Sequence, residues 1–526
     1  MLKYFLLRFH TIKYLKFRQV FYRLYYPFRN KLFPIRFNKD FAQPGHPQPW
    51  KDSPFNYSTY KGFLIFNFLN KEHSFEEEID WDFSKFGKLW TYNLNYFDFL
   101  NQKDIDRKRG ENLINKFLLN ENKNKTGKEA YPTSLRIVNF IKFISRNQII
   151  NPEFDQLLRR DIHRLSKNLE YHLMGNHLLE NGLALFFGAV YFRDQNILNL
   201  AEKVLMQELA EQILPDGGHY ERSPMYQKII LHRLLDCYKL GNESVWTPQK
   251  AILPLIKEKA SSMLSWLSAV VYQNSDVPLV KDAAPDIALP SKMLFDYAKS
   301  LSLDWETGTL SDSAYRKVSM GRYEFFYDLG GPSPAYQPGH SHADTFNFEL
   351  HFNGQPVVID PGVSTYESGS VRERERSTLF HNTVSVEGKN SSRVWGAFRV
   401  AQRAKVSISE ETDTRISALH DGFKHIGTIH QRDIDFQDKS ICIKDSLKGK
   451  KGAGQAFFHF APQQVPTLLT EKSAVDLTGL RICFHGAEKI QLFTYDCPSG
   501  FNNTRKAKKL IVDFKDELTT IINFPS

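Results

Sequence analysis

Histidine and carboxylate residues crowd the segment "PGHSHADTFNFELHFNGQPVVIDPG". His340, His342 and Asp344 lie within five positions, Asp360 ends the segment's second apolar run, and His381 follows in "STLFHNTVSV". Two histidines and a carboxylate from adjacent strands are a suitable ligand set for zinc, with water or a further group completing the shell. The alternative is a chance scatter of polar residues. Because side chains alternate along an extended segment, we expect His340 and His342 to point to opposite sides.

The segment "GNHLLENG" predicts an amide, an imidazole and a carboxylate on one face of a helix. Glu180 lies four positions after Asn176 and three after His177, so the three side chains can meet. Burying them on an otherwise apolar helix costs free energy unless they bond to each other or to a ligand. The pattern therefore indicates either a ligand site or an internal polar cluster that fixes helix packing.

A third stretch, "LPDGGHYERSPMYQKII", predicts a sharp turn followed by a helix. Ser223 and Pro224 suit the N-cap and the first helical position, which places Tyr226 in the first turn. A tyrosine there can donate or accept a proton if nearby positive charge lowers its pKa from about 10. The alternative is a role in packing alone.

The charge-dense stretch "VRERERS" carries Arg372, Arg374 and Arg376. These guanidinium groups are suited to gripping acidic sugars, and the alternative is a solvated loop.

The elements that must position these residues change in type along the chain. Helical periodicity runs from about residue 105 to 303, whereas short alternating runs separated by turn residues follow from about residue 315. "FNGQ" carries the Asn-Gly signal of a tight hairpin. We therefore predict three parts, namely an N-terminal cap segment at 1–85, a helical domain at 86–310 and an antiparallel β-sandwich at 315–526.

The net charge of the chain narrows the classes of binding partner but does not identify one. The formal net charge is +10, which favours nucleic acid, anionic lipid or acidic polysaccharide. Zinc-finger spacings, RNP-like aromatic motifs and long basic arms are absent from the sequence, so we predict no nucleic-acid partner. The sequence gives no indication of the oligomeric state.

The first 30 residues mix aromatic and basic side chains. No uninterrupted apolar stretch of signal-peptide length and no matching cleavage site occur there, so we expect a cytoplasmic or peripheral membrane protein rather than a secreted one. This segment predicts either peripheral contact with an anionic membrane or, as the simpler interpretation, an amphipathic helix packed on the body of the protein.

Taken in order, the segments "YNLNYFDFL", "PTSLRIVNFIKF", "NHLLENGLALFFGA", "DGGHYERSPMYQ", "PGHSHADTFNFEL", "VIDPGVSTY" and "RSTLFHNTVSVEG" resemble the heparinase II/III group of polysaccharide lyases and their alginate-lyase relatives. The resemblance spans most of the chain. It implies an α+β multidomain protein, with an incomplete α/α toroid followed by an antiparallel β-sandwich and the active site in the cleft between them.

The resemblance also implies roles in β-elimination on a uronic acid residue. Asn176 and His177 would neutralise the substrate carboxylate, with Glu180 orienting His177. Tyr226 would be the general acid, and for one substrate epimer also the base. His340 would be the alternative base.

For the remaining residues the resemblance implies supporting roles. His342, Asp360 and His381 match the family's structural divalent-metal site, which is often zinc. Alternation along the strand places Asp344 on the metal side too, where we expect it to be a second-shell or turn-capping residue. Two further residues are candidates for the cleft: Arg136 as a ligand of a substrate acid group, and Tyr366 as a lining residue. The alternatives are a bond from Arg136 to the Glu180 region and a role of Tyr366 in closing its loop.

Three functions are compatible with this pattern. The first is a lyase acting on an acidic polysaccharide. The second is a non-catalytic or biosynthesis-associated polysaccharide-binding protein of bacterial surface-polymer assembly, because relatives with a "YNLNYFDFL" type of start resemble proteins of that setting. The third is a metal-dependent hydrolase built on His342, Asp360 and His381.

Overall fold

Helices fill most of the first 300 residues. The computed structural model describes residues 2–35, 37, 44–450, 452–470, 474–477 and 479–525. The helices are α1 Leu2–Ile12, α2 Phe17–Leu32, α3 Lys88–Tyr96, α4 Arg107–Asn120, α5 Ala130–Arg146, α6 Pro152–Lys167, α7 Gly175–Phe192, α8 Gln195–Gln212, α9 Pro224–Glu243, α10 Leu253–Val270, α11 Ser291–Ser300 and α12 Ser370–Glu375. Among these described helices, none has the length and apolarity needed to span a membrane.

Local sequence signals explain where helices begin and which face they bury. In α6, the Asn151 side chain accepts hydrogen bonds from the backbone N–H groups of Glu153 and Phe154, and Pro152 occupies the first turn. Helix α7 is different, because nearly all of its residues are buried. It is therefore a central helix, and polar side chains on it must find partners inside the protein.

One apolar core runs through the helical half of the chain. A small antiparallel sheet of β1 Tyr60–Gly62, β2 Ile65–Phe68 and β3 Lys71–Ser74 contributes Phe66 and Phe68 to this same core. The sheet thus packs directly on the helices.

The second half is built from antiparallel strands, which confirms the predicted order of helices first and sheets second. The strands are β4 Tyr315–Met320, β5 Tyr323–Asp328, β6 Phe348–Phe352, β7 Gln355–Val358, β8 Val384–Val386, β9 Val394–Trp395, β10 Arg399–Val400, β11 Val406–Glu411, β12 Arg415–His420, β13 Thr428–Gln437, β14 Ser440–Gly449, β15 Ala453–His459, β16 Thr467–Thr470, β17 Ala474–Leu477, β18 Leu480–Pro498 and β19 Thr504–Asn523.

Two of the sheets form a sandwich. Strands β4 to β7 pair in chain order, whereas the larger sheet runs β11-β12-β13-β14-β19-β18-β17-β16, with β15 and β8 attached through β19. The ring of Phe325 lies 5.1 Å from that of Phe348 in the smaller sheet and 5.3 Å from that of Phe436 in the larger one. Burying these rings between the two sheets supplies much of the stabilisation of this half.

The Asn-Gly hairpin predicted from "FNGQ" is confirmed. Phe352 pairs with Gln355, and the two turn residues have positive φ angles, 52° at Asn353 and 69° at Gly354. This conformation is the one that Asn-Gly adopts at low cost in a two-residue hairpin. The hairpin sets the register of β6, the strand that follows the loop 338–347.

A small apolar cluster joins the two halves. Met225 at the start of α9 packs with Ala283, Val363 and Phe501, which come from loops and from the sandwich. These contacts bring the N-terminal end of α9 against the loops of the β half, beside a large cleft.

Candidate active site

A cleft of about 850 Å³ lies between the helical half and the sandwich. The helical half lines it with Asn176, His177 and Tyr226, and the β half lines it with His340 and Tyr366. The structure therefore brings together the four predicted catalytic residues and one of the predicted lining residues.

The start of α7 places Asn176 at the cleft. Met174 and Gly175 both have positive φ angles, 63° and 64°, and a Cβ atom on Gly175 would lie 2.8 Å from Glu221 Oε1. Glycine is therefore required for this close approach. The Glu221 carboxylate accepts hydrogen bonds from the Asn176 backbone N–H at 3.1 Å and from its side-chain Nδ2 at 3.2 Å, which fixes the orientation of the amide.

His177 is held by a carboxylate from the loop that precedes α7. Its Nδ1 lies 3.0 Å from Glu170 Oε1, and Asn181 Nδ2 donates to the other oxygen of the same carboxylate at 3.0 Å. Burial acts to lower the pKa of His177, but the charge and hydrogen bond of Glu170 outweigh it, so the pKa is raised. The cationic form of His177 is thus favoured at the cleft.

The predicted role of Glu180 in orienting His177 is wrong. Glu180 is fully buried, and its nearest cation is Arg233, with Nε 3.7 Å from Oε2. Burial raises the pKa of Glu180 to about 7. The helical spacing alone favoured Glu180, but Glu170 reaches the imidazole from outside the helix.

Tyr226 lies in the first turn of α9, as predicted. Ser223 is the N-cap residue and Pro224 begins the helix, although the Ser223 hydroxyl donates to the Asp282 carbonyl oxygen rather than to the helix. The hydroxyl groups of Tyr226 and Tyr366 lie 3.3 Å apart. Burial, together with Tyr366, raises the pKa of Tyr226 well above its ordinary value. The condition named for Tyr226, a pKa lowered by positive charge, is therefore not met, and the protonated phenol is favoured.

The His340 ring packs against the Tyr226 ring, with centroids 4.1 Å apart. Its Nδ1 lies 2.8 Å from Asp282 Oδ2, and because a carboxylate only accepts hydrogen bonds, Nδ1 carries the proton. In the neutral ring, Nε2 then has a free lone pair. This nitrogen lies 3.6 Å from Glu221 Oε2, on the side that holds Asn176.

The two histidines do not lie on opposite faces of a strand as predicted, because the loop 338–347 folds around one carboxylate. His342 Nε2 lies 2.8 Å from Asp282 Oδ1, so both imidazoles contact Asp282. Arg372 donates hydrogen bonds from both terminal nitrogens to the same carboxylate. Burial acts to raise the pKa of Asp282, but Arg372 and the two imidazoles outweigh it and hold the pKa well below its ordinary value.

Two of the three arginines of "VRERERS" are therefore neither solvated nor free to bind sugar, whereas Arg374 is exposed. Arg372 and Arg376 are buried, and Arg376 donates to the carbonyl oxygens of Ser341 and Ala397. Both guanidinium groups fasten the loop that carries His340.

Three buried side-chain atoms converge where a metal ion would fit. Within the part of the chain that the structure describes, His342 Nδ1, Asp344 Oδ2 and His381 Nε2 have no hydrogen-bond partner. One ligand atom from each of these residues lies within 4.8 Å of the others. Two imidazoles and a carboxylate are donors that divalent transition metals accept, so the residues fit such an ion.

The predicted ligand Asp360 is replaced by Asp344 in this cluster. Asp360 Oδ2 lies 2.8 Å from His381 Nδ1 and accepts from Asn347 at 2.7 Å, while Oδ1 accepts from the Gly362 N–H. Its oxygens are thus engaged, and it fixes the tautomer of His381. The predicted roles of Asp344 and Asp360 are exchanged.

Arg136 does not reach the cleft, so its predicted role in substrate binding is wrong. It is 1% exposed, its Nε donates to Asp161 at 2.8 Å, and its Nη1 donates to the Gly127 carbonyl oxygen at 2.8 Å. A charge this deeply buried is stable only when paired, and Arg136 serves to join α5 to α6.

The sequence patterns missed the carboxylates that hold the site residues, namely Glu170, Glu221 and Asp282. Glu221 was visible in "HYERSP" without an assigned partner. Asp282 follows Lys281 in the apolar context "VPLVKDAAP", where two adjacent charges signal buried partners. Glu170 left no such signal, because its contact depends on how the loop before α7 folds.

Two family models match the chain in succession. The model described as "Heparinase II/III N-terminus" matches residues 134–303, and the model described as "Heparinase II/III-like, C-terminal" matches residues 304–524.

Several solved structures share the fold. Heparinase III superposes with a TM-score of 0.66 at 16% identity, covering 86% of this chain and 81% of that chain. A mutant of the heparan sulfate lyase from Pedobacter heparinus gives 0.60 at 15% identity, covering 90% and 81%. A chondroitinase AC lyase gives 0.53 at 10% identity, covering 86% and 78%.

A curated relative matches only in part. The FtsZ-localized protein C of Caulobacter vibrioides is 24% identical over 268 residues, which are 48% of this chain and 44% of that protein. The chain thus aligns with less than half the length of this relative. Together with the cleft geometry, the two successive family models and the shared toroid-plus-sandwich fold show that the chain belongs to the heparinase II/III family of polysaccharide lyases.

Proposed function

We propose that this protein cleaves a uronic-acid-containing polysaccharide by β-elimination. The observation that carries the proposal is that one cleft is lined by His340 and Tyr226, whose rings lie 4.1 Å apart, and by Asn176 and His177. A base, an acid and a carboxylate-binding pair are the groups that this reaction needs.

The reaction removes the C5 proton of a uronate and breaks the bond from C4 to the glycosidic oxygen. In our proposal, the Asn176 amide and the His177 cation bind the uronate carboxylate and stabilise the charge that develops on it. His340 Nε2 takes the C5 proton, and the electron pair forms the C4–C5 double bond as the C4–O bond breaks. Tyr226 gives its proton to the departing oxygen.

The environment of each residue supports these roles. The raised pKa of Tyr226 favours its protonated form, which is the form that the acid step needs. Asp282 accepts a hydrogen bond from the Nδ1–H group of His340, which leaves Nε2 as the proton acceptor. We therefore assign the base to His340 and keep Tyr226 as the acid.

A structural zinc ion completes the proposal. His342, Asp344 and His381 would hold it, and its binding free energy would fasten the loop 338–347. Asp282 contacts both His342 and His340, so the ion would position the base indirectly.

The charge balance of the cleft favours a substrate of low charge density. Apart from the His177 cation, four basic and four acidic side chains line it: Lys88, Lys228, Arg233 and Arg399 against Asp98, Glu221, Asp286 and Glu367. A densely sulfated chain would meet nearly as many like charges as opposite ones. We therefore propose a weakly sulfated or unsulfated uronate polymer, whose rings can lie against the tyrosines of the cleft.

The test is a panel of uronate polymers that ranges from unsulfated to highly sulfated. The full-length protein, loaded with zinc, should release unsaturated uronate products, detected by their ultraviolet absorbance, from polymers at the unsulfated end. Tyr226→Phe should lose at least about 100-fold in kcat, because it lacks the acid proton.

Tyr57→Phe is the matched control. Tyr57 also lines the cleft, but its hydroxyl only donates to the Ala288 carbonyl oxygen at 3.3 Å, so its loss should change kcat less than about threefold. No product from any polymer with folded, zinc-loaded protein would contradict the lyase proposal and favour a binding role.

A further inference from the structure

The net positive charge of this protein comes from its N-terminal residues 1–39. The chain has 69 Lys and Arg residues and 59 Asp and Glu residues, and residues 1–39 contain ten of the former and none of the latter. The remaining 487 residues therefore hold 59 of each sign and have no formal net charge. The excess that suggested an anionic partner is concentrated outside the cleft.

One face of α2 fastens this segment to the body. Gln19 is buried and donates to the Leu173 carbonyl oxygen at 3.1 Å, and the Tyr26 hydroxyl donates to the Leu169 carbonyl oxygen at 2.7 Å. The Tyr22 ring lies 4.7 Å from the Tyr171 ring between these contacts. The inner face of α2 is thus formed largely by polar and tyrosine side chains.

The opposite face of α2 exposes large apolar side chains at helical spacing. We call this row the outer stripe, and its members with their exposed fractions are Phe17 (83%), Phe21 (45%), Leu24 (71%), Phe28 (67%) and Leu32 (53%). A surface helix of a globular protein normally turns its apolar side to the core. Here the arrangement is reversed, and the neighbouring α1 adds the exposed Phe9 and Ile12.

Basic side chains surround the outer stripe. Arg8, Lys13, Arg23 and Lys31 are exposed, and neither helix contains an acidic residue. Helices that combine an aromatic and leucine face with lysine and arginine lie in the interface of membranes that carry anionic lipids. The simpler sequence interpretation, packing on the body, describes only the inner face.

We propose that α1 and α2 dock the protein on an anionic lipid bilayer, with the outer stripe inserted among the lipid headgroups. The inner-face contacts hold α2 in place on the body, so docking does not require this helix to fold on the membrane. The helices also approach the cleft, because Trp395 Nε1 donates to Thr11 Oγ1 at 3.2 Å while Phe398 and Arg399, in the same hairpin, line the cleft. This inference does not depend on the proposed reaction.

Flotation with lipid vesicles tests it. Full-length protein should float with vesicles of phosphatidylcholine and phosphatidylglycerol, and should float far less with phosphatidylcholine alone. The variant F17S/F21S/L24S/F28S should bind on the order of 100-fold more weakly, because four apolar side chains no longer leave water. Arg23→Glu with Lys31→Glu should weaken binding most at low salt, where charge attraction is least screened.

The control variant is F63S/V245S, which removes two exposed apolar side chains outside α1 and α2, at 94% and 74% exposure. It should float as the parent does. The stripe variant should keep the parent's thermal unfolding midpoint, because the four side chains are exposed.

Two results would overturn the proposal. One is a parent protein that does not float with anionic vesicles, or a stripe variant that floats equally well. The other is a parent protein that is a dimer by light scattering and binds no vesicles, together with a stripe variant that is a monomer. That result would make a second copy of the chain the occupant of the stripe.

Discussion

At the scale of residues, each of the two cleft histidines is held by a carboxylate that the sequence patterns missed. Glu170 raises the pKa of His177 and favours its cation, whereas Asp282 accepts a hydrogen bond from the Nδ1–H group of His340 and leaves Nε2 free to accept a proton. The proposed reaction needs His177 charged and His340 neutral. It should therefore show a bell-shaped dependence of kcat/KM on pH.

Glu170→Gln should move the alkaline limb of that profile. His177 is protonated below its pKa, and this pKa is raised by Glu170, so removing the carboxylate charge lowers it. Activity should then begin to fall at a pH about one unit lower, while the acidic limb stays in place. The measurement is kcat/KM against pH for the variant and the parent protein.

Glu367→Gln is the control for this experiment, because Glu367 is an exposed carboxylate among the cleft-lining residues. It should leave both limbs unchanged. An alkaline limb that does not move in Glu170→Gln would show that the charge of His177 is not required.

Residue types and helical spacing predicted the cleft-facing residues better than their partners. Asn176, His177, Tyr226 and His340 were visible because their side chains are chemically distinctive within recognisable segments. Spacing favoured Glu180 for His177 because residues three apart on a helix meet. It could not show that a loop residue would occupy that position, since such a contact depends on tertiary packing.

At the scale of elements, the loop 338–347 is the feature that connects the sites. It carries His340 toward the cleft and His342 and Asp344 toward the buried cluster, and Asp282 contacts both histidines. We predicted this separation of His340 from His342 by assuming that both lie on a strand. The assumption was wrong, because the first strand after the loop begins only at Phe348. Periodicity rules apply to regular strands, and this loop is shaped by its hydrogen bonds instead.

The exchanged roles of Asp344 and Asp360 give a test at this scale. Asp344→Asn should abolish metal binding, because it changes the charge of a ligand oxygen. Asp360→Asn should retain the metal with affinity about 10- to 100-fold weaker, because it affects only the orientation of His381. Elemental analysis after dialysis and zinc titration would measure both, and the thermal midpoint should fall along with metal content.

Asp236→Asn is the matched control, because Asp236 is a buried carboxylate that accepts a hydrogen bond from Lys142 at 2.7 Å in the helical half, outside the cluster. It should lower stability and leave the metal content unchanged. Full loss of metal in Asp360→Asn with retention in Asp344→Asn would contradict the assignment of ligands.

At the scale of the whole molecule, the sequence predicted the order of the two halves because helices and strands have different apolar periods. It did not predict that residues 60–74 would share the core of the helical half, since short strands bury residues through contacts that are remote in sequence. Nor did the net charge identify a substrate. The charge lies on α1, α2 and the adjoining residues, and the cleft between the halves is nearly balanced.

This distribution assigns separate tasks to separate surfaces. The proposed membrane contact uses the basic, apolar N-terminal helices, whereas the proposed lyase site uses neutral and paired polar groups. The two can therefore be tested independently, because substitutions in the outer stripe leave the cleft residues unchanged.

The most direct measurement for the central claim is the fate of solvent oxygen during cleavage. The reaction is run on an unsulfated uronate polymer in water labelled with oxygen-18, and the masses of the products are measured by mass spectrometry. β-Elimination adds no water, so we predict an unsaturated product without the label and no product from Tyr226→Phe. A saturated product that carries the label would show hydrolysis and contradict the account.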